Sequence, residues 1–170
     1  YLPVDQNDIK SIIDIRSGRD DSVLKKIKLS VSAQKKYLQS YNKRFLNKQE
    51  IYYKISLLSN ESPLGLVRLT ELNEDYRFNY QSLIFKKNIP AFMPIDTIFT
   101  MYELGFINLK KEVCGPWVVP KTAKKIYQIH KKMGLATEIM SNKELYFFIV
   151  TKDKFFTKKD YFKKLGFGLE

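Results

Sequence analysis

The chain is predicted to fold as an α/β protein of the α+β kind, built on one mixed, mostly antiparallel sheet. Three features of the sequence say so. Two segments with apolar residues at helical spacing come first, three consecutive strand-like segments follow, and helix-like and strand-like segments then alternate. A run of adjacent strands followed by β-α-β requires a mixed sheet, because a parallel neighbour is reached only through a crossover lying on one face. Six to seven strands with helices on both faces result.

Asp5 is placed to cap the first helix, in which Ile9, Ile12, Ile13 and Arg16 share a face. A second helix is expected after Ser32, with Tyr37, Leu38, Tyr41 and Phe45 inward and Lys35, Lys36 and Lys43 outward. Residues 51–58 (IYYKISLL) are β-branched and aromatic and read as a strand. Asn60, Glu61, Ser62 and Pro63 supply turn chemistry, and 64–71 (LGLVRLTE) pairs back as a hairpin. After a polar turn at 73–75, residues 77–86 form the third strand. A helix over 94–106 carries Ile95, Ile98, Phe99, Tyr102 and Phe106 on one stripe. Residues 112–119 are a strand interrupted by Gly115 and Pro116, parallel to 77–86 through a right-handed crossover. A helix over 122–133, with Ile126, Ile129, His130 and Met133 inward, stops at Gly134. One strand or more, including 145–151, and a helix over 157–165 close the chain.

The 170 residues fit a single domain over 1–168, and 44% hydrophobic residues suffice for a core. Tyr1 in place of Met implies that the native start is missing, and Leu169 and Glu170 read as a vector remnant. One cysteine, Cys114, and one histidine exclude an internal disulfide and a Cys/His zinc cluster, so no metal is expected. With no apolar run long enough for a membrane helix and no leader pattern, a cytoplasmic protein is expected. The net charge of +12 suits polyanionic partners such as phosphorylated small molecules, though paired surface lysines account for much of it. No nucleic-acid recognition motif accompanies the charge, which argues against nucleic acid as the partner. A homodimer is compatible with the sequence.

Several stretches together resemble the GNAT superfamily of acyl-CoA N-acyltransferases, and within it the bacterial-type branch of ribosomal-protein N-terminal and amino-sugar N-acetyltransferases. They are IRS at 15–17, YYKISLLSNESPLGLVRLTEL at 52–72, FNYQSLIF at 78–85, and KKIYQIHKKMGL at 124–135 with ELYFFIVTKDKF at 144–155. The resemblance covers nearly the whole chain in order. It implies a central parallel strand pair that splays apart to admit acetyl-CoA as co-substrate.

Carried onto this sequence, the resemblance assigns acetyl-CoA contacts to Leu83, Ile84, Phe85, Lys86, Lys87, Ala91, Phe92, Met93, Ile95, Trp117 and Val118. A backbone N–H among Leu83–Phe85 would polarise the thioester carbonyl, as an oxyanion hole does. The phosphate loop, KKNIPAFMPID at 86–96, departs from the family's glycine-rich pattern: it has no glycine, two prolines, and an acid at Asp96. His130 occupies the position of the family's thiolate-protonating tyrosine, or is a core histidine. Glu71 is the best-placed acid for a general base, or a strand-end carboxylate. Arg16 and Arg68 are candidate acceptor contacts, Arg16 with a structural ion pair as its alternative. The implied reaction is direct acetyl transfer to a small amine, foremost that of a nucleotide-linked amino sugar. Acetylation of a protein N-terminus, or a nonenzymatic module binding nucleic acid or a protein partner, are the alternatives.

Overall fold

A computed structural model describes residues 1–17, 30–57 and 60–168. Leu58, expected at the end of a strand, lies outside the described residues, as do Leu169 and Glu170. Among the described residues, the helices are α1 (Ile9–Ser17), α2 (Val31–Leu46), α3 (Met93–Glu103), α4 (Lys124–Met133) and α5 (Lys152–Lys164). The strands are β1 (Leu2–Pro3), β2 (Glu50–Leu57), β3 (Asn60–Thr70), β4 (Arg77–Phe85), β5 (Val113–Pro120), β6 (Thr137–Ser141) and β7 (Leu145–Thr151). Their order is β1-β2-β3-β4-β5-β7-β6, with β4 and β5 parallel. The chain forms two compact units, one of Tyr1–Asn73 with Tyr80–Ala91 and one of Glu74–Asn79 with the chain from Phe92 onward.

In the first unit, Asp5 caps a 3₁₀ turn (Gln6–Asp8) that leads into α1, and Asp8 answers its backbone N–H to complete a capping box. The helix α2 starts earlier than Ser32 because Ser30 caps it, its Oγ accepting the Ala33 N–H at 3.2 Å. The two helices present Ile12, Ile15, Leu38 and Tyr41 to Tyr52, Leu66 and Ile84, the core of this unit. The β2–β3 hairpin is antiparallel from Glu50↔Thr70 to Leu57↔Asn60. That register corrects the expected turn: Asn60 and Pro63 are strand residues, and Asn60 pairs with Leu57. The pairing of Leu2 with Lys54 and Pro3 with Tyr53 adds β1, which two residues are too short to announce.

The second unit is an aromatic core. Phe99, Tyr102, Phe106, Phe155 and Phe162 interlock, with ring centroids 5.1 Å apart for Phe99 and Phe162 and 5.3 Å for Phe106 and Phe155. The expected helix to Phe106 instead widens at its end into a π turn, Leu104–Asn108. The turn sets Gly105 under the Phe78 ring, where a Cβ would lie 2.0 Å from ring carbon Cζ. The last helix begins at Lys152 rather than 157, because Thr151 at the end of β7 caps it. At the edge, β6 pairs with β7 and is exposed along its whole length.

Replacing Gly105 by alanine should therefore cost about 1–3 kcal/mol of unfolding free energy, the usual penalty of overpacking. Urea denaturation of G105A, F78L and the double variant checks this. The F78L change should recover part of the loss in the G105A background, and additive effects would contradict the packing argument.

Candidate active site

Within the first unit, β4 departs from regular strand geometry at Ser82, whose φ of +53° is left-handed. Serine has a Cβ, so this conformation costs energy unless neighbours hold it. Arg68 on β3 supplies the hold: its Nε and Nη2 both donate to Ser82 Oγ, at 3.1 and 2.9 Å. Beyond Ser82, Ile84 is buried while Leu83 and Phe85 are half-buried. The Phe85 ring lies across Gly65, where a Cβ would come within 2.4 Å of it, so the glycine makes room for the ring.

The loop after β4 resolves the apparent deficit of glycine. Lys86 N–H donates to the Leu64 carbonyl at 2.8 Å, and its Nζ pairs with Asp14 at 2.7 Å. Asn88 then takes φ +60°, the conformation that glycine would otherwise supply and that asparagine tolerates best among the residues with a side chain. Lys87, Asn88 and Ala91 are exposed. The residues of this loop thus fit an anionic ligand by charge and by the presence of a left-handed position, without a glycine.

The remaining first-unit candidates fall into different settings. The guanidinium of Arg16 acts on the hydroxyl of Tyr52, whose pKa burial pushes up to about 12 while Arg16 opposes the rise. Glu71 lies one residue past β3, half-buried, with a left-handed φ of +61°. Arg68, a candidate acceptor contact, has all three guanidinium nitrogens engaged, since Nη1 donates to Tyr37 Oη at 2.9 Å. Its charge is matched by Glu50, 3.4 Å away, whose other oxygen accepts from Arg44 Nε at 2.6 Å. Burial raises the pKa of Tyr37, and the Arg68 charge opposes that rise. Sequence reading passed over Glu50 and Ser82, because a polar residue in a strand gives no sign of a partner on another element, and it placed Tyr37 inward on α2 without its polar partners.

Within the second unit, β4 and β5 pair over two rungs, Arg77↔Val113 and Phe78↔Cys114. The next link is a side chain: Asn79 Nδ2 donates to the Pro116 carbonyl at 3.1 Å, where β5 also shifts register between Cys114 and Trp117. At the start of α3, Phe92 provides no side-chain cap, and Pro94 stands in the first turn, where a missing N–H interrupts no helical bond. Phe92 is exposed, Ile95 half-buried and Met93 buried. Asp96 directs its carboxylate at the Gly168 N–H, 2.8 Å away, so part of the negative charge expected to oppose a phosphate is answered there.

His130, near the end of α4, packs on the Trp117 ring at a centroid distance of 4.1 Å and also faces Phe148. Burial lowers its pKa to about 4, so the imidazole is neutral at pH 7. Trp117 is half-buried and stacks on Phe148, and Val118 is exposed on β5. Tyr127, three residues before His130 and so on the same side of α4, stacks on Tyr146 at 4.4 Å and also faces Phe148. Cys114 is a buried thiol. Among the described residues, no group of acids, histidine and cysteine could hold a metal ion, and no helix is long and apolar enough to cross a membrane.

The chain is similar to an apo nucleotide-linked sugar GNAT, FdhC, at 26% identity and a TM-score of 0.83 over 95% of this chain and 90% of that one. It also shares its fold with the spermidine N-acetyltransferase SpeG of Vibrio cholerae. A point mutant of SpeG superposes at a TM-score of 0.69 and 14% identity, covering 93% of this chain and 96% of that one. A chimera of SpeG with hSSAT superposes at a TM-score of 0.74 and 14% identity, over 91% and 95%. No protein-family model matches the chain, and no curated protein matches it.

The buried imidazole makes stability depend on pH in a defined direction. Between pH 4 and the ordinary histidine value near 6.5, the unfolded chain binds a proton that the folded chain excludes. The histidine contribution is therefore complete above about pH 6.5 and lost as pH falls toward 4, by an amount on the order of 3 kcal/mol. Denaturation of wild type and H130F at pH 7 and pH 4.5 checks it. The wild type should lose more stability than H130F, and equal losses would show that His130 titrates normally.

Proposed function

We propose that this chain, which belongs to the GNAT superfamily of acyltransferases, moves an acetyl group from acetyl-CoA to the amine of a nucleotide-linked amino sugar. The observation that carries the reading is the likeness to a nucleotide-linked sugar GNAT, at 26% identity and a TM-score of 0.83 across 95% of the chain. Charge supports it independently. Acetyl-CoA and a sugar nucleotide are both polyanions, and a chain with net charge +12 favours them over a polycation such as spermidine. We place the enzyme in the cytoplasm, as a bacterial-type acetyltransferase.

Acetyl-CoA supplies an activated acetyl group as a thioester. In the transfer, the acceptor nitrogen forms a bond to the carbonyl carbon, the C–S bond breaks, and the nitrogen gives up a proton. The first unit contributes one backbone N–H, among those of Leu83, Ile84 and Phe85, as the candidate donor to the carbonyl oxygen as it gains charge. Lys86 and Lys87 are its candidate phosphate contacts, and Arg16 its candidate for the acceptor's diphosphate. Glu71 is the candidate base for the acceptor amine.

The second unit contributes backbone at Phe92, Met93 and Ile95 beside the uncapped start of α3, where unpaired N–H groups suit an anion. Ala91 continues that segment from the first unit's side of the chain, and Trp117 and Val118 on β5 are its apolar counterparts for the pantetheine arm. His130 enters as a neutral imidazole. With a pKa near 4, its protonated form is about a thousandth of the population at pH 7, so it offers an N–H to the departing sulfur rather than acting as an imidazolium acid.

Calorimetric titration with acetyl-CoA, followed by acetylation assays with a nucleoside-diphosphate amino sugar, spermidine and an N-terminal peptide, tests the reading. Binding in the micromolar range and transfer to the sugar nucleotide alone are expected, with a Michaelis constant for it that rises with salt. Silence at millimolar acetyl-CoA would overturn the acetyl donor, and transfer to the peptide or spermidine instead would overturn the acceptor. In H130F, turnover should fall about tenfold or more with acetyl-CoA affinity nearly kept.

A further inference from the structure

We infer that Arg68 is a positioning residue for β4: its forked contact with Ser82 holds the left-handed turn that aims the backbone N–H groups of Leu83, Ile84 and Phe85. The inference rests on the proposed use of those N–H groups for acyl transfer, but the turn and its clamp are properties of the first unit alone.

Three observations converge. Ser82 has a φ of +53° in the interior of a strand, where a residue with a Cβ favours negative φ. Its side-chain oxygen accepts from both Nε and Nη2 of Arg68, at 3.1 and 2.9 Å, a forked contact that fixes direction as well as distance. The guanidinium is itself immobilised, because Nη1 donates to Tyr37 Oη at 2.9 Å and lies 3.4 Å from the buried carboxylate of Glu50. Glu50 is only 5% exposed and is held from its other side by Arg44. A chain of charge-assisted contacts therefore runs from a buried acid to the one left-handed residue of β4. A surface arginine waiting for a substrate would not be tied at all three nitrogens.

The backbone consequence follows from strand geometry. Successive N–H groups of a strand alternate in direction, so a single left-handed residue re-aims those that follow it. If Ser82 relaxed to the extended region, the N–H groups of Leu83, Ile84 and Phe85 would turn with it. Arg68 thus acts on the acyl group through the backbone, without touching it.

The test uses S82A, S82G, R68M and R68M/S82G in the full chain. In S82A the Arg68–Tyr37–Glu50 contacts stay intact, so the fold is kept while the clamp loses its acceptor. Amide hydrogen exchange at Leu83, Ile84 and Phe85 should quicken about tenfold in S82A and R68M, the scale of the left-handed penalty. Glycine adopts this φ without strain, so S82G should exchange more slowly than S82A, and R68M/S82G more slowly than R68M. That rescue by a residue adding no contact is what a merely structural arginine would not produce. Acetyl transfer to the nucleoside-diphosphate amino sugar should follow the same order in turnover, with acetyl-CoA affinity within about twofold of wild type. Unchanged exchange in S82A, or no rescue by glycine, overturns the clamp. If wild type transfers no acetyl group, the proposed function fails while the exchange measurements still decide the clamp.

Discussion

The first unit is organised around a buried carboxylate. Glu50 sits at the start of β2, nearly without solvent, and an unmatched charge there would be costly to the fold. It is matched three ways, by Arg44 from α2, Arg68 from β3 and the hydroxyl of Tyr37, which donates to it at 3.0 Å. Each partner brings its own element into register, so the acid ties α2, β2 and β3 together at one point. Through Arg68 the constraint reaches β4, where Ser82 departs from extended geometry. Hydrophobic burial supplies most of the stabilisation around it, in the packing of Ile12, Ile15, Leu38 and Tyr41 on the sheet. The polar cluster supplies direction, which apolar contacts do not.

The second unit is organised by shape. Its aromatic rings fill space around α3 and α5, and the π turn at Leu104–Asn108 accommodates the Phe78 ring over Gly105. His130 belongs to a second aromatic group with Trp117 and Phe148, and burial there decides its protonation. The same packing that makes the histidine a good core residue makes it a poor imidazolium acid at neutral pH. Any part it takes in chemistry starts from the neutral ring.

The loop after β4 carries a left-handed position and two lysines without a glycine. What an anion-binding turn needs is a left-handed position and nearby positive charge, not glycine as such. Asn88 has that conformation and Lys87 is exposed beside it, while Lys86 is paired with Asp14. Asp96, which looks unfavourable in sequence, turns its carboxylate to the Gly168 N–H. A pattern of residue types alone would have counted this loop as degenerate.

Periodicity in the sequence determined the element order, the mixed sheet and the inward stripes of α3 and α4, because burial imposes a repeat on each of them. On α1 it missed Ile15, which is fully buried, and on α2 it turned Phe45 inward although that ring is exposed. The resemblance to the GNAT superfamily, not periodicity, singled out Leu83–Phe85 and His130 as candidates. Boundaries that depend on a single cap, at Ser30 and Thr151, were misjudged by two and five residues because many serines and threonines could serve. Tertiary structure alone decided the partners of Arg68, the conformations of Ser82 and Asn88, the clearance at Gly105 and the neutrality of His130. Each of these depends on what lies opposite in space, and residues far apart in the chain carry no local mark of meeting.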